Sequence, residues 1–170
     1  MDSNTYENFP FRTVLISNAL PVGIYITGII VMAYLGWVFA IIFLAFILSL
    51  EFRVIRSHCI NCYYWGKTCG FGKGQLSAWL FKKGNPAKFC IKAMTWKDMI
   101  PDMLISLIPW ITGAVLLIIH FRLIILVALI ILVFLTTIGN GYVRGSLTCK
   151  YCKQRDLGCP ADNLFNQKPT

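Results

Sequence analysis

Six cysteines fall into two triplets with one spacing. Cys59, Cys62 and Cys69 form C-x2-C-x6-C, and Cys149, Cys152 and Cys159 repeat it. Two residues between cysteines let both sulfurs face one ion from a single tight turn, while nearby backbone N–H groups bond the thiolates. In a reducing compartment such a set reads as metal or redox chemistry rather than disulfides. The ligand count then matters. A tetrahedral zinc takes four ligands, so three thiols are one too few and six are two too many. Two zinc ions sharing two bridging thiolates make eight bonds from six sulfurs and use every member of both triplets. The rival chemistry is an iron–sulfur cluster held by four cysteines, or by three with an open iron. Either each triplet holds one, with His58 or Cys90 as a fourth ligand in the first half, or the triplets share one. A third possibility is a soft metal that the thiols sense or carry.

The elements that position these triplets are membrane helices. The chain has 170 residues, 57% of them hydrophobic, and they are gathered into blocks. Thr13 to Leu50 has no charged residue, and Met103 to Ile138 has only His120 and Arg122. A helix needs roughly 20 residues to cross a bilayer, and each block is nearly twice that long. Tyr34, Gly36 and Trp37 interrupt the first block, His120 and Arg122 the second. The expected fold is therefore an all-α integral membrane protein. It has four spans, at 14–34, 36–52, 103–119 and 122–139, arranged as two hairpins. Neither block has a polar face for water to wet, which excludes a soluble helical core. The first twelve residues lack the pattern of a cleavable signal, so the first span is expected to remain as an anchor.

Charge orients the hairpins. Of the sixteen Lys and Arg residues, all but Arg122 lie in the N-terminus, the 53–101 loop or the tail. The positive-inside rule places those segments, and both triplets, in the cytoplasm at the inner membrane. The net charge of +9 fits anionic lipid headgroups near the span ends rather than nucleic acid, since no base-stacking motif is present.

Three regions follow: 1–75, a first hairpin plus a cysteine knuckle; 76–101, an amphipathic loop; and 102–170, a second hairpin, knuckle and tail. In the loop, Leu76, Trp79, Leu80, Phe81, Phe89, Ile91, Met94 and Trp96 alternate with lysines around the Gly84-Asn85-Pro86 break. Two short pieces lying in the membrane interface would use both residue types; packing on the knuckle or on a partner subunit would also use the aromatics. The halves share further features. Ile26-Thr27-Gly28 and Ile111-Thr112-Gly113 occur in the first span of each, preceded by Pro21 and Pro109.

The paired triplets resemble the Zn2Cys6 binuclear cluster of fungal transcription regulators. The resemblance implies that Cys59 and Cys149 bridge two zinc ions and that Cys62, Cys69, Cys152 and Cys159 are terminal ligands. Here a membrane hairpin separates the halves where the family has a short loop, and no DNA-reading role follows.

Among other residues, Cys90 reads as a buried loop thiol, and His58 as a surface histidine or one supporting Cys59. Glu51 and Asp102 at span ends read as ion-pairing groups. Gly70, Gly72 and Gly74 lack the G-K-[ST] ending of a phosphate loop and read as tight turns. The spans hold no ionisable interior residue, and no catalytic constellation appears. The functions expected are a non-enzymatic accessory subunit whose metal-clasped cytoplasmic cap docks a partner, an electron-transfer subunit, or a metal sensor or carrier.

Overall fold

The computed structural model describes residues 5–85, 89 and 96–159. Among the described residues the chain is helical, with one isolated parallel bridge, between Tyr6 and Cys152, and no strand. The helices are α1 (Phe11–Leu35), α2 (Trp37–Ser57), α3 (Lys73–Leu80), α4 (Trp96–Ile119), α5 (Leu123–Phe134) and the short α6 (Lys153–Asp156).

Four segments are long and apolar enough to cross a membrane: Phe11–Leu35, Trp37–Asn61, Ile100–Ile119 and Leu123–Tyr151. Only 11 to 28% of each apolar window is buried within the protein. The remaining side chains, such as Ile41, Ile118, Leu123 and Ile130, face outward, and a bilayer is the solvent such surfaces fit. The proteins this architecture defines are multi-pass membrane proteins.

The fourth segment is longer than the 122–139 expected from hydropathy. Beyond α5 the helix widens into π-type turns at Leu135–Gly139 and Val143–Thr148, with one α-helical turn, Asn140–Tyr142, between them. Sequence explains the loosened winding. The Thr136 and Thr137 hydroxyls donate back to the Leu132 and Val133 carbonyls at 2.8 and 2.6 Å. Gly139, Gly141 and Gly145 follow, and threonine back-bonding and glycine both weaken regular α-winding. Thr148 closes the last wide turn by donating to the Val143 carbonyl, five residues back, at 3.0 Å.

The described residues form two compact units. One, the helical unit, comprises Ala19–Glu51 and Lys97–Tyr142; the other, the cysteine unit, comprises the described residues within Met1–Asn18, Phe52–Trp96 and Val143–Thr170. The helical unit has its core in Met32, Ala40, Phe43, Ile47, Leu50 and Ile105. Its packing repeats. A Cβ on Gly28 would come within 2.8 Å of the Phe43 ring, and one on Gly113 within 2.7 Å of Leu129. The glycine of each Ile-Thr-Gly tripeptide thus admits a large apolar side chain from the helix that follows it. The tripeptide similarity between the halves is therefore a similarity of packing as well as of letters. The two breaks also meet: the Arg122 guanidinium lies 5.8 Å from the centre of the Tyr34 ring. Glu51, expected to pair with a cation, accepts a hydrogen bond from the Tyr25 hydroxyl.

Candidate metal centre

Each cysteine triplet begins where a long helix ends, and the two beginnings share one backbone conformation. At the first, α2 stops at Ser57, His58 takes φ −112° and ψ −51°, and Cys59–Asn61 forms a 3-10 turn. At the second, Thr148 takes φ −111° and ψ −61°, and Cys149–Tyr151 forms the same turn. Cys62 and Cys152 then both become extended. Their N–H groups donate to the Cys59 and Cys149 carbonyls at 3.3 and 3.2 Å. The N–H groups of Trp65 and Arg155, three residues further, donate to the Cys62 and Cys152 carbonyls at 3.1 and 3.0 Å. A spacing repeat in the sequence is thus a repeated turn.

The third cysteines sit at glycine turns. The Cys69 carbonyl accepts from the Gly72 N–H at 2.9 Å, and Cys159 follows Gly158, whose φ is 98°.

Direct bonds join the two knuckles. Tyr64, 1% exposed, accepts the Lys153 N–H on its phenol oxygen at 3.0 Å and donates to the Tyr6 carbonyl at 2.6 Å. The buried Gln154 side chain accepts the Tyr63 N–H at 2.7 Å. A Cβ on Gly70 would come within 2.8 Å of Thr148, so the loop after Cys69 lies against the residue before Cys149.

The N-terminal segment crosses both knuckles as a strap. The Tyr6 N–H donates to the Tyr151 carbonyl at 3.0 Å, and the Phe9 N–H to the Thr68 carbonyl at 2.9 Å. Asn8 accepts the Thr68 N–H at 3.0 Å. The Phe9 ring packs against both Tyr6 and Tyr64. Between these anchors Glu7 accepts bonds from Lys153, Tyr63 and Lys67, the last at 2.9 Å. Those donors, Lys153 foremost, hold its carboxyl at about 2, well below the ordinary carboxylate range.

The thiols share one electrostatic neighbourhood. Burial pushes the Cys62 thiol up to about 12; the Tyr64 backbone N–H opposes the rise, and Cys69, Cys59 and Cys159 add to it. Burial likewise pushes Cys152 up to about 12, with Cys62 and Cys149 adding and the Gln154 and Arg155 N–H groups opposing. Members of each triplet are therefore felt by the other. Electrostatic reach is longer than a metal–sulfur bond, however. Among the described residues no group of three or more His, Cys, Asp or Glu is drawn together as a metal-holding set. None of the six triplet cysteines is in a disulfide; Cys149 is exposed and the others are partly buried.

The donor chemistry suits a soft or borderline metal: thiols from both triplets lie in one unit, with backbone N–H groups directed at Cys62 and Cys152. His58 has an edge-to-face contact with Phe89, their ring centres 6.4 Å apart. Cys90 lies outside the described residues. Tyr6, Glu7, Tyr64 and Gln154 were not expected to matter. Their signals in the sequence are weak: an aromatic and acidic stretch before the first span, and a lone Gln in the second x6 segment.

Comparison with protein-family profiles, with curated proteins and with solved structures gave no match. The class therefore rests on the helices and the repeated knuckle alone.

Proposed function

We propose that this chain is a small non-enzymatic membrane protein in which a thiolate metal centre clasps two membrane hairpins on the cytoplasmic side of the inner membrane, forming a cap that docks another protein subunit. The observation that carries the reading is the joining of two like knuckles through Tyr64 and Gln154. Zinc is the metal assigned. Cys59 and Cys149 would bridge two ions, and Cys62, Cys69, Cys152 and Cys159 would complete them. Bound there, zinc supplies folding free energy to loops too small to gain it by packing. The side is assigned from the charge bias, since every Lys and Arg except Arg122 flanks the knuckle ends of the spans.

The test is anaerobic purification of the full chain followed by elemental analysis. Two zinc ions per chain are expected, and Cys149→Ser should release metal from both halves. One ion held by four of the six thiols would overturn the shared centre. So would a Cys149→Ser chain that keeps the full load on Cys59, Cys62 and Cys69. Iron with inorganic sulfide, and an absorption band near about 400 nm, would replace the structural reading with electron transfer.

A further inference from the structure

We propose that α3, with Lys82 and Lys83, is an interfacial anchor that docks on the anionic surface of the bilayer. The inference does not depend on a bound metal.

α3 has two unlike faces. Its inner face is Gly74 and Ser77, both buried. A Cβ on Gly74 would lie 2.1 Å from the Tyr64 carbonyl oxygen and 2.4 Å from that of Lys67, so this face is fixed against the first knuckle. The outer face is Leu76, Trp79 and Leu80, spaced i, i+3, i+4. All three are exposed, Trp79 by 82%. Large apolar side chains on a short helix whose opposite face is already packed need another covering.

The neighbours show what covers them. Immediately after α3, Phe81 packs its ring edge-on against Phe52, with centres 5.5 Å apart. Phe52 belongs to α2, a membrane-crossing candidate, and lies between Glu51 and Arg53, the first charged residues after the uncharged run from Thr13. The end of α3 is thus tied to the point at which α2 leaves the apolar block. Lys82 and Lys83 follow, both exposed. The Lys83 ammonium lies 6.0 Å from the Trp65 ring centre, beside an open groove lined by Trp65, Trp79 and Phe81. No Asp or Glu occurs between Glu51 and Asp98.

Trp and Leu that enter the acyl boundary, with lysines at headgroup level in a run of sequence that holds no carboxylate, are the complement of an anionic lipid interface. An acidic protein groove would match the lysines, but it would not account for the tie to α2.

The test uses the full chain and its Trp79→Phe variant in lipid nanodiscs of phosphatidylcholine, alone or with phosphatidylserine. The difference in their fluorescence isolates Trp79 while leaving the other tryptophans in place. With phosphatidylserine, Trp79 should be quenched by brominated lipid and shielded from aqueous acrylamide. Lys82→Gln and Lys83→Gln should each lower the docked-to-undocked ratio about fivefold. Added salt should shrink that effect. Quenching by acrylamide alone would overturn the proposal. Shielding from both quenchers would overturn it in favour of a protein occupant such as a second copy. Bromolipid quenching unmoved by phosphatidylserine and by both lysine substitutions would overturn the anionic part.

Discussion

Tyr64 and Glu7 show how single side chains hold the cysteine unit together. The Tyr64 hydroxyl is buried and serves two elements at once, accepting from the Lys153 amide and donating to the Tyr6 carbonyl. Tyr64→Phe keeps the ring and removes both bonds, leaving the part-buried Lys153 N–H and the Tyr6 carbonyl without this partner. The expected loss is about 1–3 kcal/mol. It should appear as faster amide exchange at Lys153 and at Tyr6, whose N–H bonds the Tyr151 carbonyl, with α1 and α2 unaffected. Glu7 acts through charge. Its carboxyl is held at about 2 in the folded chain against an ordinary 4.5, so its contribution is complete above about pH 4.5 and is lost as pH falls toward 2. Strap docking, read as exchange of the Tyr6 amide, should therefore weaken on acidification in the native chain more than in Glu7→Gln. Equal pH profiles for the two chains would show that the carboxylate does not hold the strap. Neither residue stands out in the sequence, because a Tyr between cysteines and a Glu near a terminus belong to no motif. The cysteines are legible because one spacing occurs twice, a coincidence that needs no structure to notice.

At the scale of elements, the apolar blocks make the four long helices readable, since uninterrupted hydrophobic runs satisfy the length a bilayer requires. The breaks at Gly36 and around His120 and Arg122 were readable too. The end of the fourth span was not. Hydropathy falls after Ile138, whereas the helical backbone continues through wide turns to Thr148. Backbone continuity is decided there by threonine and carbonyl bonding, which a hydropathy profile does not register. Packing between helices is likewise hidden from composition, although the repeated Ile-Thr-Gly hinted at it. Gly28 and Gly113 both give a direct prediction. Alanine at Gly28 must displace the Phe43 ring, and its methyl would also lie 3.3 Å from Pro109. Alanine at Gly113 meets Leu129, a more pliable side chain than a ring, with Val31 also at 3.2 Å. Both should destabilise, by about 1–3 kcal/mol, with Gly28→Ala nearer the upper figure. Thermal unfolding in detergent tests the order. At α3 the clash is with backbone rather than side chain. Gly74→Ala should therefore detach α3 from the first knuckle, seen as rapid exchange of the Gly66 amide, which bonds the Gly74 carbonyl at 3.0 Å.

For the whole molecule, the decisive property is the placement of charge around the apolar runs. Reversing the orientation would move fifteen basic side chains across the bilayer and retain one, and short loops obey that bias closely. The two sides can be read with a membrane-impermeant maleimide on intact cells. Phe121, between α4 and α5, is 71% exposed and stands beside Arg122. In a chain carrying Phe121→Cys, that thiol should be labelled without permeabilisation. Cys149, the exposed thiol of the two triplets, should be labelled only after the membrane is opened and metal removed by a chelator. Requiring both treatments separates topology from ligation. Labelling after permeabilisation alone would place the thiol in the cytoplasm but free of metal. Failure of the Phe121→Cys thiol to label in intact cells, with labelling after permeabilisation, would invert the orientation and put the knuckles in an oxidising space. There the same six sulfurs would be expected to form disulfides, and the case for a thiolate clasp would fall with the topology.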